Sequence, residues 1–243
     1  MIDLERHGDV FVLTMNDGEN RWNTTFLRAY SAALDEVEAS DGPAALVTAS
    51  ANEKFFSNGL DIEWISTSVD HPGGDRKVFG VEYMAMVGRL VTFPIPTVCA
   101  MNGHAFGAGL MTALGHDVRV MREDRGYLCA NEIEIGVTIP APELALFKHK
   151  LSASAFHETV MLAKRWTGPT AMAAGFVEAV APQDAVLDMA MTRAGQLAPL
   201  GANRVNLAWQ KELAYGSQAA LNRPDGAAHM LKNSGDYPGG PPR

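Results

Sequence analysis

The stretch NGHAFGAG, residues 102–109, contributes most to the interpretation of this chain. It follows the largely apolar run 97–101, which predicts a buried strand, and it leads into an apolar run that ends near His116. A strand, a glycine-containing turn and a helix in this order expose backbone N–H groups at a helix N-terminus, where the helix dipole favours negative charge. The segment is therefore a candidate site for an oxygen that carries or develops negative charge.

A second segment, FFSNGLDI at 55–62, has the same design. It follows a buried strand predicted over 44–49, and a helix is expected to begin soon after Gly59. Two backbone amides aimed at one point would form an oxyanion hole without any special side chain. The alternative is a pair of tight turns in which glycine only permits the backbone conformation, and the pattern alone favours that simpler interpretation.

A third segment, ANEIEIG at 130–136, supplies carboxylates. Glu132 has apolar neighbours, so partial burial would make it a candidate general base. In the alternative, Glu132 and Glu134 point into solvent while the isoleucines face the core, which is the ordinary arrangement of exposed glutamates. Glu143 is a further candidate if the proline-containing loop before it turns inward.

Composition restricts the classes of function. The chain has 243 residues, of which 47% are hydrophobic and 20% charged, as in one large soluble domain. A net charge of -8 argues against a nucleic-acid surface. Two cysteines, Cys99 and Cys129, are too few for a disulfide scaffold or a zinc site, and we expect reduced core thiols and no metal.

We expect neither a targeting signal nor a membrane span. No run approaches the roughly 18 apolar residues of a membrane span, and the first nine residues lack a signal sequence. The final residues GPPR do not resemble a peroxisomal or lipidation signal. We therefore expect a cytoplasmic protein that does not associate with membranes.

Strands and helices alternate in the first part of the pattern, and helices dominate beyond Pro140, which indicates an α/β core with a helical C-terminal extension. We divide the chain into a core at 1–200 and a C-terminal helix with a Gly/Pro-rich tail at 201–243. Because 8 of the 21 residues at 223–243 are Gly or Pro, we expect a loosely held tail there. The loop composition of 66–75 predicts a mobile lid.

Together the three segments resemble the crotonase (enoyl-CoA hydratase/isomerase) superfamily over about residues 1–215. VFVLTMN at 10–16, GPTA at 168–171 and AGFV at 174–177 match the same family in the same order. The resemblance implies a superhelix of repeated ββα units and a C-terminal helical region that assembles trimers or dimers of trimers. It also implies an acyl-CoA thioester as substrate and no separate cofactor, since CoA is part of the substrate.

The matched positions imply roles for individual residues. The backbone amides of Leu60 and Ala108 would hold the thioester oxygen as it becomes an enolate, and Glu132 would be the catalytic base, with Glu134 and Glu143 in reserve. The expected substrate-binding residues are Lys54, for which a solvated side chain is the alternative to contacting the CoA phosphates, and Asn58, Gly59, Asp61, Phe106, Gly107, Gly109 and Met111.

The choice of reaction depends on a missing carboxylate. Hydratases of this family resemble one another in carrying two glutamates, and Met111, which can neither activate water nor donate a proton, stands at the first position. One carboxylate is enough to move a double bond by one carbon, and the Asn-Glu pair at 131–132 resembles the Δ3,Δ2-enoyl-CoA isomerase branch. The sequence thus favours isomerisation of 3-enoyl-CoA to trans-2-enoyl-CoA. Other crotonase reactions, hydration or hydrolysis, and non-catalytic acyl-CoA binding are the alternatives.

Overall fold

The computed structural model describes residues 1–67, 76–215 and 227–236. Its strands are β1 (Ile2–His7), β2 (Val10–Met15), β3 (Ala45–Ser50), β4 (Phe55–Ser57), β5 (Thr97–Met101), β6 (His104–Phe106), β7 (Val118–Arg122), β8 (Leu128–Cys129) and β9 (Ala179–Ala181). Its α-helices are α1 (Thr24–Glu38), α2 (Ile62–Thr67), α3 (Arg76–Val91), α4 (Ala108–Gly115), α5 (Ala141–Lys150), α6 (Ala153–Phe156), α7 (Gly168–Ala173), α8 (Val186–Leu197), α9 (Arg204–Tyr215) and α10 (Ala227–Lys232).

The strands form two sheets. The larger has the order β1-β2-β3-β5-β7-β9, parallel except for β1, and the smaller has the parallel order β4-β6-β8. Each of the pairs β3-β4, β5-β6 and β7-β8 therefore gives one strand to each sheet, which is a repeated ββ unit. The α/β class and the helical C-terminal region predicted from the sequence are confirmed. Strand β1, which carries alternating charges on an exposed edge, was not predicted.

Tight turns join the two sheets. At Gly103, between β5 and β6, a methyl group would lie 2.1 Å from the carbonyl oxygen of Lys54, so the turn has no room for a side chain. The N–H of His104 donates to that same carbonyl at 2.9 Å. This close approach brings the first residues of β4 and β6 together, and both predicted oxyanion segments begin there.

The C-terminal helices cover the larger sheet and the α-helical layer. Helix α8 packs across β3, β5 and β7, and α10 packs against α3 and α5. Met230 and Leu231 of α10 are buried, so this part of the predicted loose tail is packed against the core. Residues 216–226 and 237–243 lie outside the described residues, as do 68–75 of the predicted lid at 66–75, whose first two residues belong to α2. The division at residue 200 and the trimeric assembly stay predictions.

Two further expectations concern cysteines and membranes. Cys99 and Cys129 are buried free thiols, as predicted. Within the described parts of the chain, no helix has both the length and the apolar character that crossing a membrane requires.

A buried histidine gives the fold a pH dependence that can be measured. His116, directly after α4, is fully buried, and its two ring nitrogens lie 2.8 Å from the Thr112 carbonyl oxygen and 2.8 Å from the Thr48 hydroxyl. Since a carbonyl only accepts, Nδ1 carries the proton and Nε2 accepts from Thr48. Burial lowers the pKa of His116 to about 4.

Because His116 titrates near pH 6.5 when unfolded, the native state binds fewer protons than the unfolded chain between pH 6.5 and 4. Its contribution to the free energy of unfolding is full above pH 6.5 and is lost as the pH falls to 4, by up to about 3 kcal/mol. We expect His116→Gln to lose less stability than the natural protein between pH 7 and 5, as measured by urea unfolding. Equal losses in both proteins would contradict this assignment.

Candidate active site

The backbone of Trp22 fixes the first oxyanion segment. The Trp22 N–H donates to the Gly59 carbonyl at 2.8 Å, and the Asp61 N–H donates to the Trp22 carbonyl at 2.9 Å. Trp22 and Leu60 thus form an isolated parallel bridge in which the partners of Trp22 are the residues on either side of Leu60. The N–H of Leu60 therefore points away from Trp22, and Leu60 lines a cavity.

The second oxyanion segment lies against the first. Ala108 is the first residue of α4, where N–H groups have no acceptor within the helix, and Gly107 before it has φ 49°. A methyl group on Gly59 would lie 2.8 Å from the Phe106 carbonyl oxygen and 3.7 Å from the Ala108 nitrogen. The segments of Leu60 and Ala108 are therefore in contact and line one cavity, the arrangement that an oxyanion hole requires.

A buried tyrosine holds the start of α4. The Tyr83 hydroxyl donates to the Ala108 carbonyl at 2.5 Å and lies 3.0 Å from the Thr112 hydroxyl. The Tyr83 ring also packs against Trp22, with the ring centroids 5.4 Å apart. The contact between the Trp22 and Tyr83 rings thus links Trp22, which positions Leu60, to Tyr83, which positions Ala108.

The carboxylate segment is a short 3-10 helix, Glu132–Ile135, ended by Gly136 in the left-handed conformation. The alternative in which the isoleucines face the core as part of a strand is wrong, because Ile133 and Ile135 are 60% and 57% exposed. The tighter helical turn removes the alternation that a strand would impose. As a result Glu132 turns towards the cavity while both isoleucines stay at the surface.

The Glu132 carboxylate lies beside the glycine turn. Its Oε1 atom would be 2.9 Å from a methyl group on Gly107, so a side chain at 107 would displace it. Its Oε2 atom is buried and makes no hydrogen bond with the described residues. Burial raises the pKa of Glu132, and a hydrogen bond from its own backbone N–H offsets part of that rise. An ionised carboxylate so poorly solvated is a strong candidate base.

The cavity has a volume of about 250 Å³. Among the predicted site residues, it is lined by Asn58, Gly59, Leu60, Phe106, Gly107, Ala108 and Glu132. The other five lining residues are Arg21, Ile62, Asn131, Ile135 and Val137.

Arg21 is the most informative of the residues that sequence reasoning missed. Its guanidinium pairs with Glu19 at 2.6 Å, and the same Glu19 oxygen accepts from the Asn58 side chain at 2.7 Å. This chain of contacts fixes a cation at the cavity. Contacts of residues 19–22 with residues 56–61, far along the chain, bring Arg21 there, and no local pattern reveals them.

Four predicted substrate-binding residues do not line the cavity. Asp61 accepts from the Trp64 N–H at 3.0 Å and so caps α2, and the ammonium of Lys54 lies 4.8 Å from the centroid of the Phe55 ring. Met111 is buried in the core. A methyl group on Gly109 would lie 2.5 Å from the Ser57 carbonyl oxygen, so Gly109 packs β4 against α4.

The two reserve bases have opposite environments. Glu134 is exposed and forms a two-pronged ion pair with Arg165, at 2.7 and 2.8 Å, which lowers the pKa of Glu134. Glu143, in the first turn of α5, is partly buried. Burial, and then the charge of Glu132, raise the pKa of Glu143 to about 8. Of the two, only Glu143 is electrostatically coupled to Glu132.

Comparison with known proteins identifies the family of this chain. The family model for enoyl-CoA hydratase/isomerase matches residues 5–227, nearly the whole chain. The chain belongs to the enoyl-CoA hydratase/isomerase family. The crotonase resemblance of the sequence is thereby confirmed.

Proteins named as isomerases and a protein named as a hydratase are both similar to this chain. Enoyl-CoA delta isomerase 2, peroxisomal, of Arabidopsis thaliana is 35% identical over 185 residues, 74% of this chain and 77% of that protein. Enoyl-CoA delta isomerase 3 of the same plant is 34% identical over 188 residues, 76% of this chain and 79% of that protein. A solved structure of a probable enoyl-CoA hydratase from Mycobacterium tuberculosis has a TM-score of 0.81 at 28% identity, covering 96% of this chain and 92% of that one.

Proposed function

We propose that the protein is an enoyl-CoA Δ-isomerase that converts 3-enoyl-CoA to trans-2-enoyl-CoA, with Glu132 as the base. The observation that carries the proposal is a desolvated carboxylate in the same cavity as two segments that expose backbone amides. The isomerase names of relatives at 35% and 34% identity support it.

In the proposed reaction, the N–H groups of Leu60 and Ala108 donate to the thioester oxygen. Glu132 takes a proton from C2, and the electron pair of the broken C–H bond is delocalised over the oxygen, C2 and C4 as a dienolate. The protonated Glu132 then gives a proton to C4, which yields the conjugated product and restores the carboxylate. Each amide that stabilises the dienolate oxygen is worth about 3 kcal/mol of barrier, which makes this pair a large term.

We also propose that Arg21 contacts the phosphates of CoA. It is a cation at the cavity and its side chain is 42% exposed, so an anionic ligand can reach it. Lys54, which the sequence analysis proposed for this role, does not line the cavity. Arg21 is therefore the stronger candidate, although Lys54 can still meet the more distant part of a ligand as long as CoA.

Hydration of 2-enoyl-CoA is the second candidate function. Adding water is best served by two acid/base groups, and Glu143 is a second carboxyl group coupled to Glu132. The sequence argument against hydration rested on Met111 and on the likeness of the Asn-Glu pair at 131–132 to the isomerase branch, and a carboxyl group from α5 would weaken the first of these grounds.

The test is to give the purified protein 3-hexenoyl-CoA and, separately, crotonyl-CoA. Isomerisation raises the absorbance of the conjugated thioester, and hydration lowers it, so one spectrophotometric assay distinguishes the two. We expect rapid turnover of 3-hexenoyl-CoA and slow or no hydration. Turnover of crotonyl-CoA alone would favour the hydratase, and binding of both esters without turnover would indicate an acyl-CoA-binding protein.

Three further expectations remain proposals: a trimer or dimer of trimers, no cofactor beyond the CoA of the substrate, and a cytoplasmic location. Two Arabidopsis relatives have the word peroxisomal in their names, so the peroxisome is the alternative location.

A further inference from the structure

A second cavity lies between helix α3 and the 3-10 turn that follows α10. Its volume is about 370 Å³, against about 250 Å³ for the cavity that holds Glu132. Its walls come from α3, from residues 138–142 at the start of α5, and from the turn Ser234–Asp236, which packs against α3. Three separate parts of the chain thus enclose a space that the proposed reaction does not yet use.

The second cavity adjoins the candidate active site along two segments. Val137 lines the active-site cavity, and the next residue, Thr138, lines the second cavity. Tyr83 donates to the carbonyl of Ala108 in the active site, and the next residue, Met84, also lines the second cavity. Because successive Cα atoms are only about 3.8 Å apart, the two cavities are neighbours at both places.

The charged side chains that line the second cavity are cations. Arg76 and Lys77 are the first described residues of α3, and both are exposed. Arg76 donates to the Ser66 carbonyl at 3.2 Å, which ties this end of α3 to α2. Among the described residues that line the cavity, none is acidic. In a chain with a net charge of -8, the cavity is therefore a local concentration of positive charge.

A buried hydroxyl group in the same cavity lacks a partner. Ser234 lines the cavity and is only 9% exposed, and its Oγ atom makes no hydrogen bond with the described residues. Leaving a buried hydroxyl group unpaired is unfavourable, so such groups normally have an acceptor. An anionic oxygen would accept from Ser234 and from the two cations together, which is the stronger, charge-assisted kind of hydrogen bond.

The rest of the lining favours an anion that is attached to a hydrocarbon chain. Val81, Met84, Pro140 and Pro142 add apolar surface to the cavity. A free inorganic anion gains nothing from such surface, whereas methylene groups are stabilised by burial against it. The combination of apolar walls, two cations and a hydroxyl donor matches the end of a carbon chain that carries a carboxylate.

We propose that the second cavity binds the distal carboxylate of an enoyl-CoA whose acyl chain ends in a second acid group. This inference rests on the proposed isomerase function and names a substrate class for it, the 3-enedioyl-CoA esters. With the thioester oxygen at the amides of Leu60 and Ala108, the acyl chain extends past Val137 into the second cavity. Its carboxylate there meets the cations at 76–77 and the hydroxyl group of Ser234.

The first experiment compares 3-enedioyl-CoA with 3-enoyl-CoA esters of six, eight, ten and twelve carbons in the isomerase assay. At the length that reaches the second cavity, the diacid should have a kcat/KM about 10- to 100-fold above that of the monoacid, the value of a hydrogen bond to a charged group. Shorter diacids should be poorer substrates than their monoacids, because their carboxylate stops against apolar surface. A preference that depends on length distinguishes a site at a fixed distance from general attraction to a positive surface.

Variants identify the groups that produce the preference. Ser234→Ala should lower the ratio of diacid to monoacid kcat/KM about 10-fold at the preferred length, and Arg76→Gln combined with Lys77→Gln should abolish the preference. Lys148→Gln combined with Arg193→Gln is the matched control, because it removes two exposed cations that do not line the cavity and should leave the ratio unchanged. Ser234→Ala should not lower the thermal stability, since its hydroxyl group has no partner to lose. It therefore tests the site even if the double variant fails to fold.

Binding measurements separate this inference from the function on which it rests. Calorimetry with the saturated dioyl-CoA and acyl-CoA esters of the same four lengths needs no turnover. Tighter binding of the diacid without isomerisation of any ester would overturn the proposed function and leave the carboxylate site intact. Isomerisation with no preference for the diacid at any length would overturn the carboxylate site and leave the isomerase intact.

Inorganic phosphate is the probe for a free anion in the same cavity. The proposal expects phosphate to have little effect on thermal unfolding, because it lacks the chain that the apolar walls bind. Stabilisation by phosphate that Ser234→Ala abolishes, together with no preference for the diacid, would assign the cavity to a free anion. That result would overturn the assignment to the end of an acyl chain.

Discussion

Glu132→Gln is expected to lower the kcat for 3-hexenoyl-CoA by about 10³- to 10⁴-fold. Neither reserve base is so placed: Glu134 is exposed and bound to Arg165, and Glu143 does not line the cavity. Glutamine has nearly the same shape as glutamate and cannot accept the C2 proton. Because the substitution removes a poorly solvated charge with an unpaired buried oxygen, the variant should fold at least as well as the natural protein.

The binding measurement distinguishes a catalytic role from a structural one. Hexanoyl-CoA, which has no double bond to move, should bind Glu132→Gln with a Kd within a few-fold of the natural value by calorimetry. The proposed oxyanion amides belong to Leu60 and Ala108 and do not depend on the side chain at 132. Loss of hexanoyl-CoA binding in step with kcat would mean that Glu132 shapes the cavity, and unchanged kcat would move the base to Glu143.

The pH dependence of the natural enzyme gives a second check on the same residue. Burial raises the pKa of Glu132 above its usual value, so the active ionised form is lost as the pH falls through that raised pKa. The acid limb of kcat/KM should therefore lie above pH 4.5, and the residual activity of Glu132→Gln should lack it. An acid limb at the same pH in both proteins would assign it to another group.

The features that depend on residues close together in the chain are the ones that the sequence makes predictable. Gly107, directly before the second amide site, has a positive φ, a conformation that glycine adopts readily. The strand at 10–15 and the helix capped by Asn23 are similarly fixed by neighbouring residues. These features depend on residues only a few positions apart, which is why pattern and turn chemistry identify them.

The missed features depend on contacts between distant parts of the chain. Arg21 reaches the cavity through long-range contacts such as the bridge of Trp22 with Leu60, 38 residues further along. The coupling of Glu143 to Glu132 needs the packing of α5 on α4. At 132–135 glutamate and isoleucine alternate, which left open an arrangement with the isoleucines in the core. The structure forms a 3-10 helix there instead. Gly/Pro content also gave no sign that Met230 is buried against the core.

Gly59→Ala is expected to lower kcat by about 10²- to 10³-fold, the cost of losing one oxyanion donor. A methyl group at 59 would lie 2.8 Å from the Phe106 carbonyl oxygen, which is backbone and cannot rotate away as a side chain could. The two segments must then separate, and Leu60 and Ala108 no longer direct their N–H groups at the same oxygen. The expected loss is in kcat more than in substrate binding, because the amides stabilise the dienolate more than the neutral thioester.

Gly175→Ala provides the matched control, because Gly175 has φ +82° and Gly59 has φ +80°. Alanine in this left-handed conformation costs about 1–2 kcal/mol at either position. No described atom lies within 4 Å of the methyl position at Gly175, so that variant carries the backbone strain without the collision. Thermal unfolding should show a loss of stability in both variants, and the hexenoyl-CoA assay a loss of kcat only in Gly59→Ala. Equal kcat values in the two variants would contradict this prediction, because the collision at residue 59 would then not disturb the amide pair. A large loss of kcat confined to Gly59→Ala would tie catalysis to the contact between residues 59 and 106.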